Sequence, residues 1–169
     1  MELDLRNQAQ DKRKLMEKWE TEYSIFLSYY KEKMFGTLLG RIDKTINFAL
    51  ILSGSAVFAD FGSNKLFGAL VAGLSALVYV GEFAKRSSEA FGVAKEYHEL
   101  ILTRDKHTDE SLLQAFCALN KKDSPVWNCL SVAARNRTRL ALYGKEKAGK
   151  LGLYTTFEAI MSWLAGDKP

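Results

Sequence analysis

Apolar residues recur along this chain in two different ways, and the change between them divides it into regions. From Leu5 to Lys44 they stand three or four apart among many Lys and Glu residues, at Leu15, Met16, Trp19, Tyr23, Phe26, Tyr30, Met34 and Leu38. That spacing gathers them on one face of a helix, and such a face needs a partner. From Thr45 to Ala59, and again from Leu66 to Gly81, the mixture stops and no charge occurs at all. Between the two runs lies Asp60-Phe61-Gly62-Ser63-Asn64-Lys65, rich in turn formers. The pattern predicts a helical hairpin with its turn at 60–65.

A helix rising about 1.5 Å per residue needs about 20 residues to cross a hydrocarbon core. The bare runs are shorter. Each extends if flanking charges reach the interfaces: the first from Ile42 through Phe61, with Lys44 snorkelling, and the second from Phe61 to Phe83, with Lys65 and Glu82 near opposite surfaces. Small residues let helix backbones approach closely in lipid. Ala69/Gly73 and Ala72/Ala76 form small-xxx-small pairs in the second run, and Gly36/Gly40 form one just before the first. Arg41 and Lys44 precede the hairpin and Lys85 and Arg86 follow it, so the positive-inside rule places both termini in the cytoplasm. A competing account makes the same hairpin the core of a soluble helical bundle, since runs of this length also suit buried helices.

After the hairpin, Phe83 to Thr103 again has helical spacing, with Phe83, Phe91, Ala94, His98, Ile101 and Leu102 on one face. Paired with Tyr23 to Leu38 it would form a stalk, with His98 in the seam. Thr108 is placed to cap a short helix carrying Leu112, Leu113, Phe116 and Leu119. Ser124-Pro125 has the form of a helix start, predicting a helix to Gly144 that buries Trp127, Leu130, Ala134 and Leu140. On that helix Arg135 and Arg139 stand one turn apart, and arginine forks suit phosphate, which makes them the candidate anion, nucleotide or headgroup contact. A solvated face is the plainer account of the same residues. Lys145 to Gly149 reads as a basic linker. Leu151 to Ala165 reads as a docking or interfacial helix carrying Leu151, Tyr154, Phe157, Ile160, Met161 and Leu164.

Composition narrows the function. With 169 residues the chain holds one domain with appendages. Only two prolines occur, Pro125 and Pro169, which favours long helices and an all-α fold. The net charge of +4 comes from a surplus in residues 85–150. No aromatic residues interleave with Arg135-Asn136-Arg137-Thr138-Arg139 as a single-strand groove requires, so nucleic acid is not an expected partner. Cys117 and Cys129 lack metal-ligand spacing with His98 or His107 and read as reduced packing residues. The N-terminal residues alternate acids and bases without the apolar core of a secretory signal. No phosphate loop, zinc helix or nucleophile elbow occurs, so neither catalysis nor a cofactor or metal is expected.

The order of features, with Tyr97-His98-Glu99-Leu100, Asp123-Ser124-Pro125 and Ala134-Arg135-Asn136 in their places, resembles the SLATT family of bacterial two-transmembrane effectors over most of residues 20–145. The segment after Gly144 falls outside the resemblance. It implies an oligomeric protein that permeabilises the inner membrane in a defence or conflict system. It also implies a partner encoded nearby: a nucleotide-signal synthase, a nucleotide-sensing protein or a reverse transcriptase. The expected organisation is an all-α protein with a two-helix transmembrane hairpin continuing into a cytoplasmic helical stalk. Its parts are an N-terminal amphipathic helix (1–44), the hairpin (45–83), a cytoplasmic helical region (84–144) and a linker with a C-terminal amphipathic helix (145–169). A membrane-anchored adaptor, or a soluble interaction module, is the alternative.

Overall fold

A computed structural model describes residues 2–58 and 64–167, without the side chains of 2–15, 17, 56–58 and 64. All regular structure among them is helical: α1 (Glu2–Phe58), α2 (Asn64–Gly81), α3 (Phe83–Thr103), α4 (Asp109–Asn120), α5 (Ser131–Lys147) and α6 (Thr156–Leu164). Short 3-10 turns, Arg104–Lys106 and Asn128–Leu130, precede α4 and α5. Helix α1 passes without interruption from the amphipathic part of the sequence through residues 44 and 45 into the uncharged run. Residues 60–63 of the predicted turn lie outside the described residues, whereas Asn64 and Lys65 are the first residues of α2.

Helices α1 and α3 run antiparallel, and glycine sets their distance. A Cβ at Gly40 would meet Ser87 Oγ at 3.0 Å, and one at Gly36 would meet the Phe91 ring at 3.1 Å. Further along, Tyr29 stacks on His98 and Arg104 lies over Phe26. The core forms where this pair receives the later helices. One cluster joins Met34, Phe35, Leu38 and Leu39 to Ala90, Leu130, Ala133 and Ala134, and a second joins Ile25 to Val93, Tyr97, Leu100 and Leu112. Full burial of each large apolar side chain in it is worth about 1.5–3 kcal/mol.

The buried stripe of α3 is Ser87, Ala90, Val93, Ala94, Tyr97 and Leu100, which corrects the face expected from its larger residues. Phe91 and Leu102 are exposed, and His98 sits at the rim of the seam against Tyr29. Small side chains suit the inside here because the glycines of α1 bring the two backbones together. The expected face of α1 is likewise corrected at its start, where Met16 and Trp19 are exposed.

Between α2 and α3 only Glu82 interrupts, with a left-handed φ of 44°. Its N–H still bonds to Val78 O and its carbonyl accepts from Arg86 N, so the two helices meet at a bend rather than a loop. A Cβ at Gly81 would meet the Phe83 ring, which would have to swing aside to admit a side chain before this bend.

Thr108 caps α4 as expected, accepting from Ser111 N. Ser124-Pro125 does not start a helix. The N–H of Ser124 is taken by the buried carboxylate of Glu32 at 2.7 Å, Val126 N turns back to Ser124 O, and α5 begins only at Ser131. Leu130 and Ala134 are buried as expected, whereas Trp127 stays at the surface with its edge on Phe35. Helix α5 kinks at Gly144, and Lys145 to Lys147 are helical rather than linker. Cys129 packs against the core, but Cys117 is exposed, contrary to the packing role expected of it.

Candidate functional site

The largest uncovered apolar surface lies at the end of the molecule formed by α2 and the last part of α1. Exposed there are Phe48, Ile51 and Leu52 of α1 with Leu66, Leu70, Leu77, Tyr79 and Val80 of α2. Among the described residues one helix is long and apolar enough to cross a membrane, beginning at Lys65, and none of its apolar window is buried. The apolar run of α2 is therefore not buried within the protomer. Residues 45–58 of α1 lie beside it but reach only about 21 Å at helical rise, short of a full crossing.

Helix α2 turns Phe67, Val71, Leu74, Val78 and Gly81, its less exposed positions, to one side. This is a period of three and four, and it faces α1, where Ile46 and Ser53 are buried. Ala69, Ala72, Gly73 and Ala76 fall on the other, exposed side, and a Cβ at Gly73 would meet nothing within 4 Å. The two small-residue groups thus differ in use. Gly36 and Gly40 are spacers inside the protomer, while the α2 group touches no other part of the described chain closely. Hydroxyls in the apolar part of α1 bond back along their own helix, Thr45 to Arg41 O and Ser55 to Ile51 O, both at 2.8 Å.

A collar of cations marks where the apolar surface begins. Arg41 and Lys44 follow Gly40, and Lys85 and Arg86 precede Ser87, which touches Gly40, so all four stand at one level. Arg86 lies over the Phe35 ring. Arg41 reaches sideways and donates through Nη1 to the carbonyls of Trp163 and Leu164, both at 3.0 Å. A cation on the last carbonyls of a helix satisfies orphan acceptors and favours the dipole. The same helix end carries a left-handed Gly166, with Asp167 N bonded to Ser162 O and Gly166 N to Trp163 O, the Schellman arrangement. A cleft of about 490 Å³ between α1 and this end is lined by Lys33, Arg41, Arg137 and the buried Asp167.

Arg135 and Arg139 are both exposed, yet the structure does not converge them on a cleft. Arg135 Nε donates to Ser131 O in its own helix, and Arg139 Nη1 donates to Lys150 O at 3.0 Å. Neither lines the three clefts along α1. Two neighbours that the spacing argument passed over do more structural work. Asn136 is buried and exchanges two bonds with Gly152, Nδ2 to the carbonyl and Oδ1 from the N–H, which pins residues 148–155 along α5. Arg137 pairs with Asp167 and so ties α5 to the chain beyond α6. A buried asparagine in an apolar helical stripe is the signal that could have found the first.

Residues 151–155 carry no regular secondary structure and α6 begins at Thr156, which corrects the start expected at Leu151. Helix α6 opens with a capping box between Thr155 and Glu158. The Thr155 N–H and hydroxyl both donate to the Glu158 carboxylate and hold it below its ordinary value. Met161, Leu164 and Tyr154 pack against the core, whereas Leu153, Phe157, Ile160 and Trp163 are exposed.

A buried polar knot links α1, α3 and the loop before α5. Tyr97 donates to Asp123 Oδ1 at 2.7 Å, and Glu32 Oε1 accepts from Ser124 N while Oε2 is buried without a partner. Burial raises the carboxyls of Glu32 and Asp123, and it raises the Tyr97 hydroxyl further, with the bond to Asp123 adding to the effect. Glu96 and Lys122 pair across the rim of the adjacent cleft, of about 410 Å³. No group of His, Cys, Asp and Glu among the described residues could hold a metal ion. No protein-family model matches the chain, and neither a curated protein nor a solved structure is significantly similar to it.

Proposed function

We propose that this protein is an oligomeric membrane effector whose hairpin, α2 with the end of α1, enters the bacterial inner membrane from a cytoplasmic bundle. Both termini lie in the cytoplasm. The observation that carries the reading is the wholly uncovered apolar surface of α2, rising from a collar of Arg41, Lys44, Lys85 and Arg86. Residues 45–58, lengthened towards Phe61, form the second, shorter arm. The exposed small-residue face of Ala69, Ala72, Gly73 and Ala76 supplies the contact between copies. Resemblance to the SLATT family supports a role in permeabilising the membrane under a cytoplasmic signal. A nucleotide-signal synthase, nucleotide-sensing protein or reverse transcriptase encoded nearby would supply that signal.

One observation favours the adaptor reading, in which the hairpin only anchors a bundle that recruits a partner. Between Lys65 and Glu82 the only polar side chains of α2 are Ser75 and Tyr79, which is little with which to line an aqueous path. Two measurements separate these accounts. Retention of the full chain in membranes after an alkaline carbonate wash supports insertion, and release into the supernatant overturns both. Dye leakage from vesicles carrying the inserted protein supports the effector, and tight vesicles leave the adaptor.

A further inference from the structure

The C-terminal helix carries a second uncovered apolar face. Helix α6 is short, but it is fixed at both ends: by the Thr155/Glu158 capping box at its start and by Arg41 on the Trp163 and Leu164 carbonyls at its finish. Met161, Leu164 and Ala165 seat one side on the core. The other side is apolar as well, with Leu153, Phe157, Ile160 and Trp163 between 53% and 87% exposed. A helix on a water-facing surface carries polar residues outward. Here the only charge, Glu158, is consumed by the cap.

The position of this face selects what covers it. Trp163 and Leu164 line a cleft with Arg41, Lys44 and Thr45, the level at which α1 loses its charges and the apolar hairpin surface begins. Trp163, at one end of the exposed stripe of α6, thus stands beside the cation collar. Tryptophan with apolar neighbours and flanking Lys and Arg is the composition of an interfacial helix, whose apolar side sinks about 5–10 Å into the boundary of headgroups and acyl chains. Lysines and arginines there attract anionic lipid. We propose that α6 lies in the cytoplasmic interface of the bilayer with Phe157, Ile160 and Trp163 among the upper acyl chains, as a lateral brace for the hairpin. This inference rests on the membrane reading above.

The test uses the full chain in phosphatidylcholine/phosphatidylglycerol vesicles whose acyl chains are brominated either near the headgroup or near the methyl end. In a Trp19→Phe/Trp127→Phe background, Trp163 is the only reporter. A parallel chain with Trp163→Phe and Leu70→Trp reports the middle of α2. Expected is a loss of roughly half of the Trp163 emission with bromine near the headgroup and less near the methyl end, with the order reversed for residue 70. Lipid quenching at residue 70, with Trp163 quenched only by aqueous iodide, overturns the inference and leaves the hairpin standing. Trp163 shielded from both quenchers overturns it too, and points to a second copy or another protein as the cover. No lipid quenching at residue 70 sinks the membrane reading and this inference with it. Should the double replacement fail to fold, the difference in quenching between the native sequence and Trp163→Phe reads the same depth, because that ring is exposed.

Discussion

Ser87 donates its hydroxyl to the main-chain carbonyl of Gly36 at 2.7 Å, joining α3 to α1 beside the cation collar. The bond depends on the absence of a side chain one turn further along α1, because Ser87 Oγ lies 3.0 Å from where a Cβ at Gly40 would sit. Glycine here is therefore a packing choice. It lowers the helix propensity of α1 but lets the collar of Arg41, Lys44, Lys85 and Arg86 form at one level.

Gly40→Leu should loosen this seam at a cost of about 1–3 kcal/mol, the range for overpacking, and should lower the melting temperature of the detergent-solubilised protein. Ser87→Ala should cost about 1 kcal/mol through the lost bond. Gly36→Ala should be milder than Gly40→Leu, since the Phe91 ring it meets is 44% exposed and free to swing outward. A Gly40→Leu protein as stable as the native one would mean that α1 and α3 are further apart than described.

Glu32 makes stability depend on pH in a definite direction. Burial lifts its carboxyl above the ordinary value of 4.5, so between that value and the raised one the folded protein holds a proton that the unfolded chain has released. Stability from this group is fully present in acid and is lost as pH rises through that interval. Glu32→Gln removes this group's share of the dependence and leaves that of Asp123, whose carboxyl burial also raises. Melting temperatures of the two proteins should diverge in favour of the variant as pH is raised from about 4.5 to neutrality. Parallel curves would show that Glu32 is not the buried titrating group.

Arg135 and Arg137 of α5 should separate on substitution. Arg137→Ala leaves the Asp167 side chain, 3% exposed, without its cation, and should cost about 1.5–3 kcal/mol while freeing the C-terminal segment to proteolysis. Arg135→Ala removes an exposed side chain bonded only to its own helix and should stay within about 0.5 kcal/mol of native stability. Any loss of anion binding or of activity in Arg135→Ala can then be read as function. Equal destabilisation by both substitutions would contradict the different placements.

Much of this architecture can be read from the sequence because it is local. Apolar steps of three and four and scarce proline specify helices, and Thr108 caps α4 through a bond three residues away. What cannot be read is settled by distant partners. Ser124-Pro125 has the form of a helix start, but the N–H it would offer the turn goes to Glu32, 92 residues earlier. The buried stripe of α3 follows Ser87 and Ala90 rather than Phe91 because of Gly36 and Gly40 on another helix. Arg137 looks like one member of a basic cluster until Asp167 is brought beside it by the Schellman turn at Gly166. In each case residue type was informative, but the choice between neighbours one position apart lay with an element far away in the chain.

Gly73→Leu gives the cleanest test of assembly through the hairpin. At Gly40 a new side chain meets α3, so loss of function there would mix folding with assembly. At Gly73 it meets nothing within 4 Å, on an exposed face with Ala69, Ala72 and Ala76. Leucine is also the better helix former, by roughly 0.5–1 kcal/mol, so the protomer should be no less stable. In a membrane, the same side chain would hold apart two backbones that small residues otherwise let approach. The expected result is a variant that inserts and melts like the native protein but shows fewer crosslinked oligomers and no dye leakage or toxicity. A Gly73→Leu protein that still crosslinks and still leaks would move the contact between copies off this face of α2.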